Sequence, residues 1–172
     1  MRQICCCGII ILQRLNCNLF GLNLLPLNNQ FTVEAYIKIP HTITAYDVFQ
    51  FEDQNINLVG LSGATYFGAG RSSTGDADIS IAQNLPTDQW IHVLCTAKEG
   101  EQTLYLNGVR FASGNYTGLN IASTSNENLV LGGIYADRSG LLKFAYLRVY
   151  RNFITDDLAI DMYADMLSNF AP

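Results

Sequence analysis

From Gln30 to Ile39 apolar and polar residues alternate: Phe31, Val33, Ala35, Ile37 and Ile39 fall on one side, Thr32, Glu34, Tyr36 and Lys38 on the other. Side chains of an extended chain point alternately to its two faces, so the pattern predicts a half-buried β-strand. Runs at 46–51, 56–61, 77–82, 90–97, 103–106, 109–112, 129–131 and 141–150 are short and rich in β-branched or aromatic residues, with Gly, Asn, Asp, Ser and Pro between them. Many short strands punctuated by turn residues predict an all-β sandwich or barrel. Asn107-Gly108 separates Leu104-Tyr105-Leu106 from Val109-Arg110-Phe111. That pair suits a tight hairpin in which both turn residues take positive φ. Near the C-terminus Thr155 can cap a helix whose first turn holds Asp156 and Asp157, acids that the helix dipole favours there. One short helix over 156–167 is expected, and residues 8–25 are expected to supply one or two strands joining the sheets.

No internal repeat, linker or shift of composition divides the 172 residues, so a single domain over 1–172 is expected. A chain of this length buries about two-thirds of its unfolded surface. Charged residues make up 15% of the chain while 49% is hydrophobic, so Asn, Ser, Thr, Gln and Gly must cover much of the surface. Such a surface suits neutral, hydrogen-bonding partners. The formal charge of −5 and the absence of a basic run argue against nucleic acid, whose affinity comes from Lys and Arg displacing counterions.

The cysteines are Cys5, Cys6, Cys7, Cys17 and Cys95, an odd count with three adjacent. This matches neither a disulfide framework nor a zinc spacing, and Cys95 reads as a small core residue. The opening stretch has one Arg followed by an apolar run near the lower limit for a signal peptide, without a small-x-small cleavage site. It is expected to be retained, and residues 1–25 either supply edge strands or dock to a partner, giving a homo- or hetero-oligomeric assembly. No apolar run approaches the roughly 20 residues of a membrane-spanning helix.

Three segments carry a family resemblance. Residues 30–40, QFTVEAYIKIP, resemble the "FTIEAWVKP" strand of laminin-G-like and pentraxin-like domains. Residues 90–108, WIHVLCTAKEGEQTLYLNG, resemble their "WHHVAVTYDGGTLTLYVNG" segment, and 142–165 resembles the closing "GYIDEVRIYNRALSAEEIAALY". The resemblance implies a concanavalin A-like jelly roll: two antiparallel sheets in a sandwich, with one short C-terminal helix. It also implies carbohydrate binding or adhesion. Tyr36 replaces the usual Trp, and Ala145 stands where many relatives place an acid that helps to hold calcium. A hard cation there would lose a charged oxygen ligand. Calcium is therefore not carried over at that position, and the acids left for it are Asp76, Asp78 and Asp137.

Glycoside hydrolysis needs two carboxylates flanking the scissile bond, and the Glu-x-Asp-x-x-Glu run of glucan-hydrolysing relatives is absent. Glu52 and Asp53 are adjacent and point to opposite faces of a strand. His92 lies in the Trp-x-His strand, where a structural hydrogen bond beneath a loop is expected, and no nucleophile elbow such as Gly-x-Ser-x-Gly occurs. The chain is thus read as a non-enzyme. Three stretches, 69–78, 113–128 and 134–139, are read as rim loops whose Arg71, Asp76, Asp78, Asn115, Tyr116, Tyr135, Asp137 and Arg138 suit sugar hydroxyls or an apolar sugar face. A second reading makes the chain a structural or decoration subunit of a larger assembly, such as a viral or phage particle, with the sandwich as a protruding knob. The partner is then a protein surface, and glycan binding is compatible with either reading.

Overall fold

The computed structural model describes residues 10–12, 15–18, 30–51, 56–61, 63–72, 75–115, 128–132 and 142–170. The first six strands are β1 (Ile10–Leu12), β2 (Leu15–Asn18), β3 (Gln30–Lys38), β4 (Tyr46–Phe51), β5 (Ile56–Leu61) and β6 (Ala64–Ser72). They are followed by β7 (Gly75–Ile81), β8 (Trp90–Lys98), β9 (Glu101–Leu106), β10 (Val109–Gly114), β11 (Asn128–Leu131), β12 (Leu142–Tyr150) and the helix α1 (Asp156–Phe170). One sheet runs β1-β12-β3-β8-β9-β10 and the other β2-β11-β4-β5-β6-β7, each six-stranded. All of these pairings are antiparallel, which makes the fold a jelly-roll sandwich. Residues 10–12 and 15–18 thus add one edge strand to each sheet.

The core lies between the sheets. Phe31, Val33 and Ile37 of β3 and Ile91, Val93 and Cys95 of β8 meet Phe49, Ile56, Leu58 and Phe67 of the facing sheet. The Phe31 and Phe67 rings pack edge to face with centroids 6.5 Å apart, an arrangement the aromatic quadrupole favours. Cys95 is fully buried, as its neighbours predict. Tyr46 is enclosed with its ring over Gly60, its register partner, and its hydroxyl accepts from the Leu85 N–H at 3.0 Å.

Three expectations need correction. Gln30–Lys38 is not half-buried, because Thr32 and Glu34 on its outward face are 0% exposed and Tyr36 is 7% exposed. The cause is α1, which lies on that face and packs Met166 with Tyr36 and Tyr146. Secondly, Ala64–Ser72 is a strand that the sequence did not announce, and most of the stretch 69–78, read as a rim loop, belongs to the β6–β7 hairpin. Small residues (Gly68, Ala69, Gly70) hid its alternation, whereas the ladder to β5 and β7 is set by backbone hydrogen bonds that need no large side chain. The helix also runs on to Phe170, where the sequence suggested an end near 167.

The hairpin at Asn107-Gly108 has positive φ at both residues, 50° and 77°. Asn107 Oδ1 accepts from the His92 N–H at 2.9 Å and the Asn107 N–H donates to the His92 carbonyl at 2.9 Å, so the turn is tied back to β8. The start of α1 is fastened in a similar way. Asp156 Oδ1 accepts from Tyr105 Oη at 2.8 Å and from Arg110 Nε and an Arg110 Nη at 3.0 and 2.8 Å. The Ile154 N–H donates to Thr96 Oγ1 at 2.9 Å, and Thr32 Oγ1 donates to the Asn152 carbonyl at 2.6 Å.

Candidate functional site

Two places concentrate polar chemistry. The first is the floor beneath α1. Glu34 on β3 accepts from His92 Nε2 (3.0 Å) and Tyr146 Oη (2.9 Å) at Oε1, and from Tyr150 Oη (2.6 Å) at Oε2. An Nη of Arg148 stands 3.5 Å from Oε2. Strand alternation places Tyr146, Arg148 and Tyr150 on one face of β12, next to the outward face of β3. Burial alone would push the Glu34 carboxyl up, but the hydrogen bonds from His92, Tyr150 and Tyr146 outweigh it and hold the group below its ordinary value.

A histidine hydrogen-bonded to a carboxylate is also an ingredient of nucleophilic catalysis. Here both side chains are 1% exposed and the Tyr163 ring of α1 lies 5.7 Å from the His92 ring. No substrate atom can approach either group. The expected structural role of His92 is thus what the geometry gives it, with the correction that its ring lies under the helix and not under a loop. The sequence reading missed this cluster because Glu34 was placed on a solvent face. A signal was present: an outward face bearing Tyr36, His92, Tyr146 and Tyr150 is too aromatic to face water.

Ala145 lies beside this cluster, at the bulge of β12, and packs with the apolar group formed by Tyr36, Tyr146 and Met166. Its side chain offers no oxygen ligand to a cation. Among the described residues no group of three or more His, Cys, Asp or Glu could hold a metal ion.

The second place is one end of the sandwich. At the tip of the β6–β7 hairpin Arg71 and Asp76 are register partners, as are Gly68 and Asp78. The same end of that sheet receives the finish of β4 and the start of β11, since Leu129 pairs with Phe51 and Ile56 pairs with Ala69. In the other sheet Gly114 pairs with Gln102, which pairs with Ala97 near the end of β8. Asn115, exposed, follows directly. The segment 116–127 therefore leaves β10 and enters β11 at the end that carries the hairpin tip.

The segment 133–141 is bounded differently. It leaves β11 after Leu131, paired with Phe49, and enters β12 where Lys143 pairs with Lys38, at the opposite end of the sandwich. The topology thus places Arg71, Asp76, Asp78 and Asn115 at one end, while the strand ends that flank Tyr135, Asp137 and Arg138 in sequence lie at the other. Those three residues and Tyr116 lie outside the described residues.

Two antiparallel sheets around one core, with a helix sealing one outer face, define a jelly-roll β-sandwich. A family model for the concanavalin A-like lectin/glucanases superfamily matches residues 17–157, and the chain belongs to that family. No curated protein matches the sequence.

Among solved structures the chain is similar to the receptor binding domain of botulinum neurotoxin mosaic serotype C/D. The TM-score is 0.72 and the identity 16%, covering 96% of this chain and 46% of that one. It is also similar to the serotype D ligand binding domain solved with N-acetylneuraminic acid, at TM-score 0.64 and 16% identity over 81% of this chain and 37% of that one. A third is the botulinum neurotoxin DC binding domain solved with rat synaptotagmin II, at TM-score 0.64 and 10% identity over 95% and 46%. The chain spans less than half the length of each. At this identity the likeness is one of fold, and it is shared with domains whose work is binding.

Proposed function

We propose that this chain is a non-enzymatic carbohydrate-binding or adhesion module that engages glycans with the end of the sandwich carrying the β6–β7 tip. The observation that carries the reading is the register pairing of Arg71 with Asp76 at that tip, on the end bordered by Asn115 and the segment 116–127. A cation and a carboxylate at paired register positions, on a rim that also carries an amide at Asn115, are chemistry that sugar hydroxyls and an acidic sugar's carboxylate can use. The sealed Glu34–His92 pair leaves the described interior without an accessible acid and base, which supports a binding rather than a hydrolytic role. The sialic acid and synaptotagmin held by two domains of the same fold support a cell-surface glycan or protein as partner.

The test is a glycan array on the purified chain, with calcium and again with a chelator, followed by titration of any hit. Saturable binding weakened about tenfold by Arg71→Ala or Asp76→Ala, the loss of roughly one charge-assisted hydrogen bond, is the expected result. Binding that these variants leave unchanged, or no glycan bound at all, overturns the reading. Calcium enters through the same titration: a chelator that abolishes binding would show that an ion is needed, and Asp76→Asn with Asp78→Asn, set against Asp137→Asn, would tell which stretch holds it.

A further inference from the structure

The outward side of α1 carries two ridges. Ile160, Ala164 and Leu167 recur at helical spacing, all exposed, with Ile160 at 55% and Leu167 at 42%. The hairpin tip extends this apolar ridge, because a Cβ built on Gly108 comes within 3.4 Å of the Ile160 backbone, and the next residue, Val109, is 69% exposed. Beside it runs an acidic ridge, Asp157, Asp161 and Asp165, at successive steps of four residues and all exposed. Leu158 borders the far side of the acids.

Past Asp157, which the dipole favours in the first turn, the acidic ridge is unfavourable for the helix itself. Like charges four apart repel, and an acid near the C-terminal end opposes the helix dipole. The last turn has no basic residue to offset Asp165, and α1 contains no Lys or Arg anywhere. The helix does not need the outer ridges to fold onto the sheet, since Ala159 and Met166, with Met162, Tyr163 and Phe170, make its inner contacts. A surface that departs from local preference in both charge and hydropathy is one shaped by something that sits on it.

We propose that this face of α1, with Val109, docks a basic amphipathic helical segment of a partner protein. Its apolar side would cover Ile160, Ala164, Leu167 and Val109, and its Lys or Arg side chains would meet Asp157, Asp161 and Asp165. The charge selects this occupant. A second copy of the chain, itself at −5, would bring acid against acid in a two-fold contact, and an anionic membrane would be repelled. The surface is distinct from the rim at the β6–β7 tip, so the two proposals stand or fall separately.

The experiment uses two synthetic helical peptides with the same leucine face, one with lysines and one with glutamates on the polar face. Each is titrated into the isotope-labelled full chain and followed by NMR. The lysine peptide is expected to shift residues 157–167 and Val109, weakening with salt as exposed charges are screened, and the glutamate peptide is not. Ile160→Ser with Leu167→Ser, and separately Asp161→Asn with Asp165→Asn, should each weaken the lysine peptide by about fivefold or more. These positions are exposed, and an unchanged melting temperature confirms that the variants fold. Equal binding of both peptides, shifts elsewhere on the chain, variants without effect, or self-association abolished by Ile160→Ser would each overturn the proposal.

Discussion

His92 Nε2 donates to Glu34 Oε1 over 3.0 Å, joining residues 58 apart in sequence on neighbouring strands, with both side chains buried. The carboxylate also receives two tyrosine hydroxyls and the approach of Arg148. A buried charge of this kind is tolerable because nearly every lone pair is used. Removing it leaves several donors without a partner at once.

Glu34→Ala should therefore destabilise the domain by about 3 to 5 kcal/mol, the usual cost of breaking one side of a buried ion pair. Urea denaturation followed by circular dichroism measures it. The pH dependence follows from the same site. The Glu34 carboxyl titrates below its ordinary 4.5 in the folded chain, so as pH falls the unfolded chain takes up the proton first. The stabilisation is present above that ordinary value and is lost as pH drops through the lower, folded one. Glu34→Gln should flatten this acid limb, and a limb as steep in the variant as in the parent would show that other groups govern it.

On the alkaline side the relevant groups are Tyr146 and Tyr150, both pushed up first by burial and then by the Glu34 charge. The unfolded chain loses these protons near 10, the folded chain higher. Their contribution is whole below about pH 10 and fades as pH rises towards the folded values. Absorbance at 295 nm should show part of the tyrosine ionisation coinciding with loss of structure. Tyr146→Phe with Tyr150→Phe should remove that part.

Gly60 and Tyr46 are register partners, and a methyl added at Gly60 would run into the Tyr46 ring. The ring is fully buried and fixed by its bond from Leu85, so it cannot move aside cheaply. Gly60→Ala should cost about 1 to 3 kcal/mol through overpacking, read as a fall in melting temperature. The double variant with Tyr46→Phe, which frees the ring from Leu85, should recover little, because the clash is with the ring itself.

The inward residues of β3 and β8, Phe31 to Ile37 and Ile91 to Ala97, were legible because alternation is a local property and one face of each strand is continuous with the core. The hairpin at Asn107-Gly108 was legible for a similar reason, since positive φ at two consecutive residues restricts the sequence strongly. β6 was not, because Gly68, Ala69 and Gly70 give no alternation to read. Of the candidate rim residues, the chain order showed which segments were polar but not which end of the sandwich each would occupy. That follows from the antiparallel registers, which set the end of β6 level with the start of β11 and leave the end of β11 at the other end of the sheet.

What the sequence determined by itself is most of the strands other than β6, most turns, the closing helix and the family segments, all of which depend on residues near one another in the chain. What the tertiary structure decided is where α1 lies. The aromatic side chains on that strand face signal that something covers it but not what, and the covering element comes more than 120 residues later than Glu34 in Tyr163, Met166 and Phe170. Packing of that helix turned Glu34 from a surface acid into a buried, four-partner carboxylate. It also left Ile160, Leu167 and the three aspartates facing outward. No local pattern encodes that division, because it depends on which helix face the sheet takes.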